Sequence, residues 1–263
     1  AWFVATRWDL VVHRHISDLP VYREVATQLG DGRIPYRDFD IEYPPGAVLV
    51  VAIARLLPTS FATGFSLLML ACLIATALGV MATAQRLGFD PRRELAAGSV
   101  VALTPLLLGD FVAPRAALAV ASVVAWMVAL AAGRHFRWAW VLLGLAVLIK
   151  LFPVVLAPAL LLWQRRSGDG RPWRDSLFGA AVVAVGTAPF LLVGAQGVWN
   201  MLHYHLARPL QIESTGAAYL LGLSALSNRT RQVSTSYGSQ NLVGTGPDVI
   251  TAISTGLQLA LVA

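Results

Sequence analysis

WAWVLLGLAVLIKLFPVVLAPALLLW, residues 138–163, decides how this chain folds. It is apolar throughout except for Lys150 at its middle, with Pro153 close behind. A helix crossing a hydrocarbon core of about 30 Å needs roughly 20 apolar residues, and Lys150 divides this stretch into arms of 12 and 13. At 1.5 Å per residue each arm reaches only roughly 18–20 Å. Arg134 and Arg137 precede the stretch, and Arg165, Arg166, Arg171 and Arg174 follow it. Arginines concentrated in short loops mark the cytoplasmic side of a membrane protein, so the stretch must enter the membrane and return. It predicts a short hairpin whose tip lies within membrane depth or faces a water-filled cavity. A charge there is costly unless it meets protein or water.

The rest of the chain agrees with a membrane solvent. Of its 263 residues 57% are hydrophobic and only 13% charged, against about a quarter charged in an ordinary soluble domain. Residues 61–85 carry no charge and predict a full crossing; 95–109 is shorter, 116–133 near full length, 176–195 crosses again, and 249–263 begins a last helix. Arg86, Arg92 and Arg93 form a third short basic loop, on the same side as the other two. The net charge of +6 is therefore a topological signal, and no nucleic-acid partner is needed to explain it. The single cysteine, Cys72, excludes an intrachain disulfide framework. Lys150 is the only lysine among 20 basic residues, which predicts a GC-rich bacterial gene. The chain opens on AWFVATRWD and stops at GLQLALVA, each resembling part of a spanning helix, so a piece of a longer protein is expected.

The predicted fold is an all-α, polytopic transmembrane bundle over residues 1–263: an external loop with interfacial helices at 17–57, transmembrane helices at 61–195, and an external loop region at 196–248. The loop at 17–57 is a polar island. Within it, 18–29 reads as a helix with Asp18 at the cap, Pro20 in the first turn, and Val21, Val25 and Leu29 on one face. Residues 46–57 follow Pro44 and Pro45 and are too short to span, so they predict a helix lying at the interface with 18–29 as its partner. In this topology the island, the GDFVAPR segment, Lys150 and 196–248 share the non-cytoplasmic face.

An Asp followed by Tyr22, a helix ending at GDGRIPY and then YPPG resembles the first external loop of glycosyltransferase family 87. The resemblance continues through GDFVAPR, VLIKLFPVVLAPALLLW and HLARPLQIES to YGSQN, over most of the chain. It implies a GT-C fold in the bacterial inner (plasma) membrane. It further implies transfer of a sugar, mannose in the actinobacterial members, from a polyprenyl-phosphate donor to a lipid or glycan hydroxyl on the outer face, with inversion and an Asp base in the first external loop. No cofactor is implied beyond the lipid-linked donor.

A hydroxyl is a weak nucleophile, so a carboxylate must take its proton as it attacks the anomeric carbon. Asp18 is the candidate; the alternative is that it only caps its helix. Asp38, Asp40 and Glu42 are rivals, although a solvated turn also accounts for them. The departing lipid phosphate calls for cations, and Lys150, Arg115 and Arg208 are the candidates. Arg115 also fits an interface marker, and Arg208 a pair with Glu213. His203 and His205 are candidate donor contacts, although interfacial polar residues account for such pairs as well; the HRH (His13, Arg14, His15) and HYH spacings are too sparse to argue for a metal. Tyr22, Tyr36, Tyr43, Asp110 and Glu213 complete the substrate lining, though tyrosines gather at membrane interfaces in any case. Gly238, Gly244 and Gly246 read as turn formers. One departure from the resembled family is visible: in its actinobacterial members an aromatic–Asp pair often follows the arginine that stands here as Arg115, and this chain has Ala116 and Ala117. Either Asp110 serves instead or that acidic group is absent. A lipid-linked-sugar flippase, which also uses broken helices with buried charges, and a non-catalytic scaffold are the rival readings.

Overall fold

The computed structural model describes residues 18–108, 115–168, 171–227 and 230–262. The chain divides into two compact units, one up to Val198 and one from Trp199, and each is described by itself.

The first unit is helical. Helix α1 (Leu19–Gly30) begins with Pro20 in its first turn, where the missing N–H is harmless, and buries Tyr22, Val25 and Ala26. Its inner face is therefore rotated from the expected one: Val21 is exposed and Tyr22 takes its place, because the Tyr22 ring stacks on Phe65 at 5.0 Å. Helix α2 (Pro45–Leu56) starts after the extended Pro44 and presses Val50, Val51 and Ala54 inward while Leu49, Ile53 and Leu56 form an exposed apolar stripe. Gly30 of α1 lies under the Arg55 guanidinium, so the two short helices are partners.

Helix α3 (Phe61–Arg86) is capped by Ser60, whose hydroxyl oxygen accepts the Thr63 N–H at 3.3 Å. It is followed by α4 (Pro91–Leu108), α5 (Ala117–Ala132), α6 (Phe136–Ile149), a 3₁₀ turn at Phe152–Leu156, α7 (Ala157–Arg166) and α8 (Pro172–Leu206). Two of these, α3 and α8, are long and apolar enough to cross a membrane. The stretch 138–163 is broken where Lys150 and Pro153 predict it: α6 ends at Ile149, Lys150 is extended, and the chain turns through Phe152–Leu156 into α7. Small residues let the helices approach closely. A Cβ on Gly79 of α3 would sit 2.9 Å from that of Ala125 on α5, and one on Gly179 of α8 would sit 2.7 Å from the Trp140 carbonyl of α6.

The three arginine-bearing loops meet at one end of this unit. Arg86 donates to the Ala129 carbonyl and lies against Gly133, while Arg134 Nη2 donates to the Ser167 carbonyl at 2.7 Å. Beneath them the fully buried Gln164 accepts from Trp140 Nε1 at 3.0 Å and donates to Asp175 Oδ2 at 2.6 Å, tying α6, α7 and α8 together.

The second unit differs from the expected loop region. It holds the tail of α8, helix α9 (Thr215–Leu226), an antiparallel hairpin of β1 (Gln232–Ser236) and β2 (Ser239–Val243), and α10 (Thr245–Val262). The hairpin closes on Tyr237 and Gly238, both left-handed, as a two-residue turn requires. Leu210, Ala217, Leu220 and Leu242 form its core. The crossing expected at 176–195 ends where α8 bends: Gly194 leaves helical geometry at φ −158°, ψ 50°, and a second helical stretch continues from there to Leu206.

Candidate functional site

The polar island folds as a lid on the end of the first unit opposite the arginine loops, and four attachments hold it. Tyr22, 1% exposed, reaches α3 through Phe65 and the start of α5 through its hydroxyl, which accepts the Ala116 N–H at 3.4 Å. Gly46, in the first turn of α2, packs on the end of α6: a Cβ there would lie 2.7 Å from the Leu148 carbonyl. Tyr36 packs edge-on against Phe190 at 5.2 Å. Its backbone seats in the bend of α8, where a Cβ on Gly194 would come within 2.6 Å of the Tyr36 carbonyl oxygen and one on Gly197 would fall on that same oxygen. Tyr36 itself is left-handed, φ 66°, an uncommon conformation for a residue with a side chain. Its hydroxyl donates to the Tyr43 carbonyl at 2.5 Å.

This seating brings several sequence-predicted residues together. Asp18 stands at the start of α1 without capping it. Its half-buried carboxylate instead accepts from the Tyr22 hydroxyl, 3.4 Å away. Because the same hydroxyl accepts from Ala116, it bridges the first turn of α5 to Asp18. Tyr43 lies 5.5 Å from Tyr22, ring to ring, and Glu42 precedes it. Arg115 immediately precedes the Ala116 amide, and Lys150 immediately follows the α6 terminus on which Gly46 rests.

Burial, and next the neighbouring Asp18 charge, push the Tyr22 hydroxyl up to about 12. Burial raises Tyr43 as well, followed by its anionic neighbourhood, and burial raises Tyr36. At neutral pH all three keep their protons and can donate.

Asp38 does something different. Its carboxylate accepts from Arg37 Nε at 2.8 Å and from the Ile34 N–H at 2.7 Å, closing the turn at 34–38. The Arg37 guanidinium, and next the Ile34 amide, hold Asp38 down to about 2. Asp40 is exposed.

His203, His205, Arg208 and Glu213 belong to the second unit. Arg208 Nη2 donates to the Tyr237 carbonyl at 3.0 Å, and Tyr204 donates to the same oxygen at 2.5 Å, so both hold the hairpin turn. With its amide oxygen turned to the guanidinium, Gln211 accepts from Arg208 at 2.8 and 3.1 Å. The expected Arg208–Glu213 pair is not formed: Glu213 is exposed, and the guanidinium is taken up by the hairpin. His203 is exposed, and His205 packs edge-on against Tyr204 at 5.7 Å. Gly238 and Gly244 are left-handed turn residues, whereas Gly246 falls inside the first turn of α10. Asp110, His13, Arg14 and His15 lie outside the described residues. Among the described residues no group of three or more His, Cys, Asp or Glu is placed to hold a metal ion.

Sequence reasoning did not single out Gly194, Gly197, Phe65 or Phe190, on which the lid rests. The paired glycines of GAQG, three residues apart on one helical face, were the available signal.

The family model for glycosyltransferase family 87 matches residues 41–263. No curated protein and no solved structure matches the chain. The match begins after Asp18 and Tyr22, so their placement rests on the geometry alone.

Proposed function

Since the chain belongs to glycosyltransferase family 87, a family of membrane glycosyltransferases, we propose that it moves a sugar from a polyprenyl-phosphate donor to a lipid or glycan hydroxyl at the lidded end of the first unit, with Asp18 as general base. Mannose is the sugar that the sequence resemblance favours. The lidded end is the non-cytoplasmic one, the arginine loops lie on the cytoplasmic side of the bacterial inner membrane, and the chain crosses it several times in the GT-C manner.

The observation that carries this reading is the Asp18 carboxylate, left uncommitted to its helix and held by a hydroxyl that is itself anchored to α5. In a single displacement the acceptor oxygen forms a bond to the anomeric carbon as the bond from that carbon to the phosphate oxygen breaks. The acceptor proton passes to Asp18, and the electron pair leaves with the polyprenyl phosphate. Attack from the face opposite the leaving group inverts the anomeric centre. Positioned general bases contribute about 10²–10⁴ in rate.

The leaving phosphate gains charge, and a pre-arranged cation beside it lowers the barrier. Lys150, at the turn that breaks 138–163, and Arg115, beside the Tyr22 bridge, are proposed for that role. Tyr22, Tyr36 and Tyr43 wall the acceptor side and keep donor hydroxyls at neutral pH. Asp38 is assigned to the turn and not to the chemistry.

The test reconstitutes the full-length protein with radiolabelled polyprenyl-phosphate mannose and a lipid extract. Labelled product that disappears with Asp18→Asn while the protein stays folded supports the reading. Product formation undiminished by that substitution refutes Asp18 as the base, and a lack of donor binding favours a flippase or scaffold.

A further inference from the structure

The arginine-rich end lies outside the site proposed for transfer, and it is built as one surface. The loop after α3 touches the loop after α5 through Arg86, and that loop touches the one after α7 through Arg134 and Ser167. The buried Trp140–Gln164–Asp175 chain fixes the helix ends below them. The arginines of these loops are exposed, and among the described residues the face carries only Asp90, Glu94 and Asp175 against them.

Large apolar side chains stand out between the charges. Trp173 is 65% exposed, with the Arg165 guanidinium 5.0 Å from its ring centre; Trp138 is 60% exposed and Phe89 48%. A surface facing only water would not favour such rings, whereas the headgroup layer suits an aromatic body with charge beside it. The length agrees. Helix α3 has 26 residues, about 39 Å at 1.5 Å per residue. It therefore overruns a hydrocarbon core of about 30 Å and carries Arg86 into the headgroup region.

We propose that this end is a binding surface for anionic phospholipid headgroups, the arginines contacting phosphates and the exposed rings lying among the acyl–headgroup boundary. A juxtamembrane basic residue is attracted to an anionic leaflet, and the attraction is screened by salt. The surface rests on the membrane placement of the chain and not on sugar transfer.

The test uses the full-length protein in detergent and follows thermal unfolding with phosphatidylglycerol or phosphatidylcholine added in equal amounts. Phosphatidylglycerol is expected to raise the midpoint by several degrees more than phosphatidylcholine. Half or more of that difference should vanish in the triple variant Arg92→Gln, Arg171→Gln, Arg174→Gln and at high salt. Equal shifts from the two lipids overturn the proposal, as does a triple variant that keeps the full difference. A soluble polyglutamate that stabilises as well as phosphatidylglycerol overturns it too, in favour of an acidic protein partner. If the triple variant does not fold, native mass spectrometry of lipid retained by the unsubstituted protein decides: phosphatidylglycerol must be kept over phosphatidylcholine and lost with salt, and retention insensitive to salt overturns the proposal.

Discussion

The Tyr22 hydroxyl stands between Asp18 and Ala116, 3.4 Å from each, and so ties the carboxylate at the start of one short helix to the first turn of another. Asp18 has no capping bond to lose. Asp18→Asn is therefore expected to leave the thermal midpoint essentially unchanged while lowering sugar transfer by about 10²–10⁴. Labelled-product formation and a melting curve on the same preparation check this together.

Tyr22→Phe keeps the ring on Phe65 and removes only the bridge. It is expected to cost about 1 kcal/mol, the usual net value of a hydrogen bond, and to lower transfer through a loosened Asp18. Tyr22→Ala also removes a ring that is 1% exposed and is expected to cost about 3–5 kcal/mol. Denaturation of the two variants side by side separates hydroxyl from ring.

Glycines in this chain make opposite predictions according to what surrounds them. At Gly197 a methyl group would fall on the Tyr36 carbonyl oxygen, so Gly197→Ala is expected to destabilise by about 1–3 kcal/mol and to lift the lid. Faster tryptic cleavage at Arg33 and Arg37 would report that lifting. Gly222, in α9, has nothing within 4 Å, and Gly222→Ala is expected to stabilise by about 0.5–1 kcal/mol.

The three lid tyrosines predict an alkaline limit. Tyr22 is raised from 10.0 to about 12, and Tyr36 and Tyr43 are raised as well. For an acid whose folded pKa is raised, the unfolded chain releases its proton first, so the stabilisation is complete below pH 10 and is lost as pH climbs through 10 to 12 and beyond. At pH 11 an unshifted tyrosine is about nine-tenths ionised, so the tyrosinate absorbance of the folded protein should fall short of that after denaturation by the equivalent of roughly two and a half residues. Equal absorbance in the two states would refute their burial.

Asp38 predicts an acid limit of the opposite sign. Its folded pKa is held down to about 2, so the turn at 34–38 is fully supported above the ordinary carboxylate range and loses that support as pH falls through about 2. Asp38→Asn is expected to loosen the same turn at neutral pH, and amide exchange at Ile34 measures both.

Features that depend on neighbouring residues were legible in the sequence. Lys150 and Pro153 interrupt an apolar run, and the helix breaks there; Pro44 and Pro45 start α2; the arginine loops gather at one end, as their spacing implies. Features that depend on distant partners were not. The inner face of α1 turned from Val21 to Tyr22 because Phe65 and Ala116 await a large ring with a polar tip. The hairpin at 232–243 escaped notice because its strands are largely polar and Tyr-Gly is a weaker turn signal than Asn-Gly. In the site, the carboxylates of one short loop were separated only by the structure, which gives Asp38 to Arg37 and Ile34 and leaves Asp18 beside Tyr22.

The seat of Tyr36 against Gly194 and Gly197 also sets an order of events during biosynthesis. A ribosome adds about 5–20 residues per second, so the segment bearing Asp18 leaves it on the order of ten seconds before the bend of α8 exists. Until that bend arrives, the loop has no resting place and the carboxylate no fixed neighbours on that side. The half-made chain thus waits with the proposed centre incomplete, and a product truncated ahead of Gly194 is expected to be inactive.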